Sequence, residues 1–143
     1  MTSFLYLLDT NIISEPTKVA PSSLVLERMA RHLDRSCICS VTWAEAMVGV
    51  RTLTSGKRQD ALLSFLTDVI QVQYSILSFD DACATMYAHI VQKQKSAGQL
   101  GSTFDMMIAA CAIANNLVLV TRNESDFAAI ARHTPLMLEN WFR

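Results

Sequence analysis

The chain has 143 residues, 51% of them apolar, and a formal charge of -1 at pH 7. Its length suits one domain, residues 1–143, with a continuous core, and its composition excludes a disordered or low-complexity chain. The near-neutral balance gives no global field for a polyanion, so any nucleic-acid contact must come from a local basic rim.

Residues 4–8, Phe4-Leu5-Tyr6-Leu7-Leu8, form a short apolar run of the kind that becomes a strand buried on both faces of a parallel sheet. Asp9-Thr10-Asn11 ends it. Pro21-Ser22-Ser23 opens a helix to about Leu33. Residues 37–41 predict a second strand, and Thr42 starts a helix to about Leu53, where Thr54-Ser55-Gly56 breaks the chain. Ala61, Leu62, Phe65, Leu66, Val69 and Ile70 mark an amphipathic helix. Residues 73–79 predict a third strand, followed by a helix capped by Ser78 or Asp80 and stopped at Ala97-Gly98. After the polar loop 99–103 come an apolar helix from Asp105 to about Ala114, a fourth strand at 117–120, a short helix at 123–131 and an edge strand at 136–138. Strands alternating with helices imply an open parallel sheet covered on both faces.

The longest apolar run, residues 106–114, is too short to cross a membrane, and the N-terminus lacks a signal-type segment, so a soluble, cytoplasmic protein is expected. Cys37, Cys39, Cys83 and Cys111 fit no zinc or redox spacing and read as small buried thiols. His32, His89 and His133 form no paired ligand motif and read as surface residues, which argues against a zinc hydrolase.

Asp9, Glu45, Asp105 and Asp126 each stand beside an apolar run, where a strand or loop hands over to a helix. For three of them capping is an equal reading. Thr42-x-x-Glu45 matches a capping box, and Ser102-x-x-Asp105 and Asn123-x-x-Asp126 are aspartate variants of it. Asp9 follows its strand directly, with no helix turn to cap in the simplest reading. Ligands of an open parallel sheet bind beyond the carboxyl ends of the strands, where Asp9, Glu45 and Asp126 would project. Asp105 would reach that edge only if the loop 99–103 returns the chain to it. Carboxylates gathered there would need a cation, and Mg²⁺ or Mn²⁺ takes hard oxygen ligands while keeping several waters. Thr10, Asn11, Thr121 and Asn123 have suitable chemistry to position such waters.

These stretches together resemble PIN-domain ribonucleases of the VapC toxin type, including their FitB-like branch. The similarity runs through Leu7-Leu8-Asp9-Thr10-Asn11-Ile12-Ile13-Ser14-Glu15-Pro16, Ser40-Val41-Thr42-Trp43-Ala44-Glu45 with Gly49, Phe104-Asp105-Met106-Met107-Ile108-Ala109-Ala110, and Thr121-Arg122-Asn123-Glu124-Ser125-Asp126-Phe127, in the family's order. The resemblance implies a three-layer α/β/α sandwich around a parallel sheet, with acids gathered in one groove to bind Mg²⁺ or Mn²⁺. By the match, Asp9, Glu45 and Asp105 are the core acids. Relatives differ over whether the fourth stands at the position of Asn123 or Asp126, and since Asn123 is an amide the assignment falls on Asp126. Thr121 resembles the family's water-holding hydroxyl, and Asn11 the residue that steadies the first aspartate. The resemblance further implies an RNA substrate such as tRNA or rRNA, a cognate antitoxin, a homodimer, and operator DNA bound only through the antitoxin. Arg51, Lys57, Arg58, Lys93, Lys95 and Arg122 are candidate phosphate contacts, with solvated surface charge as the competing reading.

Two rivals stand beside this reading. A phosphoryl-transfer enzyme would use Asp9 as nucleophile, but such enzymes usually carry a second aspartate where this chain has Asn11. A non-catalytic module could keep the fold and bind RNA or protein, although a charge cluster without a metal is costly.

Overall fold

The computed structural model describes residues 3–143. Five short parallel strands form one sheet in the order β3-β2-β1-β4-β5. The central strand β1 (Tyr6–Leu8) pairs with β2 (Ser36–Cys39) on one side and β4 (Val118–Val120) on the other. The edges are β3 (Ser75–Leu77) and β5 (Met137–Glu139), each paired in parallel. In register, Leu7 lies opposite Cys37 and Leu119, and Leu8 opposite Val120. The chain winds outward from β1 through β2 and β3, then resumes on the other side at β4. The β1/β4 boundary is therefore the topological switch point, where an open α/β sheet leaves a crevice at its carboxyl edge.

Alternation along the strands builds two cores. Leu7, Cys37, Cys39 and Leu119 face a layer made by α6 (Asp81–Ser96), α7 (Thr103–Ala114) and α8 (Glu124–His133). Leu8, Ile38 and Val120 face the opposite layer, made by α1 (Thr10–Ile13), α2 (Ser23–Arg31), α3 (Ser40–Arg51), α4 (Lys57–Ser64) and the turns after it. Leu7 and Leu8 are completely buried, and each such side chain contributes roughly 1.5–3 kcal/mol. The result is the expected three-layer α/β/α sandwich. Cys37 and Cys39 share a face, and all four cysteines are buried and free, as expected of small buried thiols.

Several boundaries differ from the sequence expectation. A helix begins immediately after β1, and Asp9 is its N-cap, accepting from the Thr10 N–H at 2.8 Å. Asp9 does have a helix turn to cap. Helix α3 starts at Ser40, two residues before the expected Thr42, because Cys39 occupies the N-cap and its Sγ accepts from the Val41 N–H at 3.5 Å. Thr42 is thus inside the helix, fully buried, with no partner for Oγ1 among the described residues, and the Thr42–Glu45 capping box does not form. Beyond Ser64 the helix continues as a π-helical stretch, Phe65–Ile70, and one further turn, α5 (Gln71–Gln73). Asp80 rather than Ser78 caps α6, accepting from the Cys83 N–H at 2.9 Å. Gly98 takes the left-handed conformation after it, with φ of 68°.

His32 also departs from expectation. It is half-buried against Tyr6 and Trp141, with ring centres at 4.9 and 5.4 Å. His89 and His133 are exposed and line one open cleft. Among the described residues, no helix is long and apolar enough to cross a membrane.

Candidate active site

Asp9 and Thr121 follow β1 and β4 directly, so they flank the switch-point crevice. Asp9 is only 5% exposed, and three donors hold its carboxylate. Oδ1 accepts from the Thr10 N–H; Oδ2 accepts from Thr121 Oγ1 at 2.8 Å and Asn11 Nδ2 at 3.3 Å. Burial pushes the Asp9 carboxyl above its ordinary range and outweighs those bonds, while Glu45 adds a smaller upward push. Glu45, on the second turn of α3, receives the hydroxyl of Thr10 on its Oε1. Thr10 therefore ties the acid of one helix to the start of another.

Asp105 joins them. The loop between α6 and α7 does return the chain to this edge, and Gln94 pins the turn. The Gln99 N–H donates to the Gln94 carbonyl at 2.8 Å, and Gln94 Nε2 donates to the Gln99 carbonyl at 3.1 Å. Ser102 then caps α7, its Oγ accepting from the Asp105 N–H at 3.4 Å. That cap uses the backbone of Asp105 and leaves its carboxylate free for the crevice. A pocket of about 270 Å³ is lined by Asp9, Thr10, Asn11, Ser14, Glu45, Asp105 and Asn123. Partial burial, followed by the charges of Asp9, Asp126 and Glu45, raises the Asp105 carboxyl from 3.8 to about 6.

Asp126 is close enough to push Asp105 upward, yet it is exposed and does not line the pocket; Asn123 does. Asn123 makes no side-chain cap bond, and the Asp126 N–H donates instead to its carbonyl at 3.0 Å. Among the described residues, no three His, Cys, Asp or Glu side chains converge tightly enough to enclose a metal ion. The donor set still fits a hard cation that retains waters. Its three pocket acids are all oxygen donors, they form no ion pair among the described residues, and the charges of Asp9 and Glu45 oppose ionisation of Asp105. Asp9, Glu45 and Asp105 would hold it, with Asp126 farther out.

The basic candidates scatter. Arg58 lines an apolar cleft next to Glu45, and Lys93 lines the cleft shared by His89 and His133. Arg51, Lys57 and Lys95 are exposed on helices or their flanks. Arg122 alone bonds to a pocket residue, its N–H donating to Asn11 Oδ1 at 3.0 Å. Ser14 was not anticipated, though it lies in the same stretch as Asp9 and lines both the acidic pocket and the apolar cleft. That cleft, also about 270 Å³, has walls of Ile13, Ala46, Val50, Leu53, Leu62, Phe65 and Leu66.

The PIN-domain family profile matches residues 6–133. The plasmid stability protein StbB of Pseudomonas syringae pv. tomato is 37% identical over 86% of the chain and 91% of its own length. Toxin FitB of Neisseria gonorrhoeae is 34% identical over the same shares. The tRNA(fMet)-specific endonuclease VapC of Shigella flexneri is 32% identical over 95% of this chain and 97% of that protein. Among solved structures, FitAB bound to an IR36 DNA fragment superposes with a TM-score of 0.86 at 30% identity, covering 97% of this chain and 96% of that one.

Proposed function

The chain belongs to the PIN-domain family, and on that premise we propose that it is a Mg²⁺- or Mn²⁺-dependent endoribonuclease acting as the toxin of a toxin–antitoxin pair. The observation that carries this reading is the buried Asp9 carboxylate sharing one pocket with Glu45 and Asp105, with no cationic side chain among the described residues paired to any of them. A divalent ion there would supply charge neutralisation at the scissile phosphate and a water of lowered pKa. Thr121, Asn11 and the Thr10 N–H fix the orientation of Asp9. Thr10 occupies Oε1 of Glu45, and Oε2, which accepts no hydrogen bond among the described residues, would take a proton from the attacking water. Hydrolysis then breaks the P–O3′ bond, leaving a 5′-phosphate and a 3′-hydroxyl.

Asp9 as a phosphoryl nucleophile is the less supported reading, because Asn11 stands where such enzymes usually carry a second aspartate. A purely binding role leaves the clustered acids without a use.

The relatives named as a toxin and a tRNA(fMet)-specific VapC endonuclease, and the FitAB–DNA complex, support an RNA substrate and an antitoxin partner, with tRNA or rRNA as the RNA in our reading. On this reading the antitoxin contacts operator DNA, and the toxin, a homodimer in the cytoplasm, does not. An apolar segment of the antitoxin would fill the cleft beside Glu45 and close the site. Sequencing of RNA 5′ ends after brief induction tests the activity. Discrete new ends should appear with wild type and vanish with Asp9→Asn. Purified protein should lose cleavage in EDTA and regain it with Mn²⁺. Full cleavage by Asp9→Asn would overturn the proposal.

A further inference from the structure

The acidic pocket repels the substrate proposed for it. With a formal charge of -1 the chain offers no global attraction, so an RNA strand must be held by cations placed locally. Arg122 meets that need in a way the other basic candidates do not. It follows Thr121, and its main chain is fixed on both sides: the N–H donates to Asn11 Oδ1 at 3.0 Å, and the carbonyl accepts from Asn140 Nδ2 at 3.4 Å. Asn11 in turn donates to Asp9. The Arg122 backbone is therefore two hydrogen bonds from the central carboxylate.

Its guanidinium carbon lies 4.5 Å from the ring centre of Phe142. That ring is itself positioned. The Phe142 N–H donates to Asn140 Oδ1 at 2.8 Å, and Arg28 Nη1 donates to the carbonyls of Asn140 and Arg143 at 3.3 and 2.8 Å. Trp141 anchors the turn with 1% exposure. Among the described residues, the Arg122 guanidinium makes no ion pair, although Glu124 and Asp126 stand nearby in sequence. A guanidinium resting on a ring keeps its N–H edges available, and less rotamer freedom remains to be lost when it captures an anion. Its geometry matches two oxygens of one phosphate.

Resting on the ribonuclease reading, we propose that Arg122, seated on Phe142, is a substrate-binding residue that clamps an RNA phosphate flanking the bond to be cut. Both main-chain bonds at this position survive a side-chain substitution, so Arg122→Ala removes the cation and leaves the Asn11 and Asn140 contacts in place.

The test measures binding of a labelled single-stranded RNA oligonucleotide by anisotropy in EDTA across a salt series, with Mn²⁺-supported cleavage in parallel. Arg122→Ala is expected to weaken binding about tenfold and flatten the log Kd against log salt slope by about 0.7, as loss of one phosphate contact to a single strand requires. Its KM should rise while kcat and Tm hold. Arg122→Lys should keep the slope and bind less tightly, and Phe142→Leu should weaken binding without changing the slope. If wild type binds and cuts RNA and Arg122→Ala matches it in affinity and slope, the clamp is overturned while the ribonuclease reading stands. If wild type neither binds nor cuts RNA, both fall.

Discussion

Thr121 and Asp9, 112 positions apart in sequence, are joined at the switch point of the sheet by a 2.8 Å hydrogen bond from the threonine hydroxyl to Asp9 Oδ2. Thr121 is fully buried, and its Oγ1 also accepts from the Asn123 N–H at 3.1 Å. One hydroxyl thus orients the carboxylate that follows β1 and the entrance to α8.

Thr121→Val keeps the shape and removes that bond. Stability should fall by about 1–3 kcal/mol in urea unfolding, the range for losing a hydrogen bond to an ionisable partner. Cleavage should drop roughly 10–100-fold, as for other residues that orient a metal-binding group. Thr121→Ser should recover most of both. Wild-type rates in Thr121→Val would remove the hydroxyl from the site's function.

The raised Asp105 carboxyl predicts a pH dependence in metal-free protein. Its pKa in the folded state, about 6, exceeds the ordinary 3.8. The folded state therefore binds more protons than the unfolded state between those values, and stability falls as pH rises through that window. The loss should be on the order of 1–2 kcal/mol after screening at this partly exposed group. Asp105→Asn should reduce the dependence to the part that the raised Asp9 carboxyl contributes, and raise Tm at pH 7 in EDTA, while weakening Mn²⁺ binding. Thermal melts at pH 4 to 7, with and without Mn²⁺, check all three. A lower Tm for Asp105→Asn would make the residue a structural cap.

Thr42→Val tests the capping box from the other side. Because Thr42 Oγ1 is buried without a partner, replacing the hydroxyl should be neutral or stabilising by up to about 1 kcal/mol. Activity should not change. A loss of about 1 kcal/mol in chemical denaturation would restore Thr42 as a helix cap.

Leu53→Glu tests the apolar cleft. Leu53 is 36% exposed, so the charge is tolerated in the free protein. Co-expression with the cognate antitoxin followed by size-exclusion chromatography should show the complex lost or much weakened, with RNA cleavage by the free toxin retained. An unaltered complex would place the antitoxin elsewhere.

The strands and the longer helices were legible in order because each carries its own apolar pattern, whereas the four-residue α1 was not; Leu7 and Leu8 lie on opposite faces, and Cys37 and Cys39 on the same one, as alternation assigns them. Boundaries were less so. Helix α3 begins at Ser40 because a cysteine sulfur caps it, and the more familiar Thr42-x-x-Glu45 pattern misplaced its start. In the sequence Asp9 reads as an acid with nothing to cap, yet it caps α1 with one oxygen while the other faces Thr121 and Asn11. The pattern around Asp126 located that residue near the site, while the pocket wall is built by Asn123.

By itself, the sequence determined the α/β alternation, the acids at the strand-to-helix joints and the family to which the chain belongs, because these depend on local spacing and ordered motifs. Only the tertiary structure decided which acids meet. The reversal of strand order at β1/β4 sets Asp9 beside Thr121, and the turn pinned by Gln94 delivers Asp105 to them. The seat of Arg122 on Phe142 likewise depends on where the C-terminal turn folds back. These are contacts between residues distant in the chain, and local periodicity has no term for the closure that brings them together.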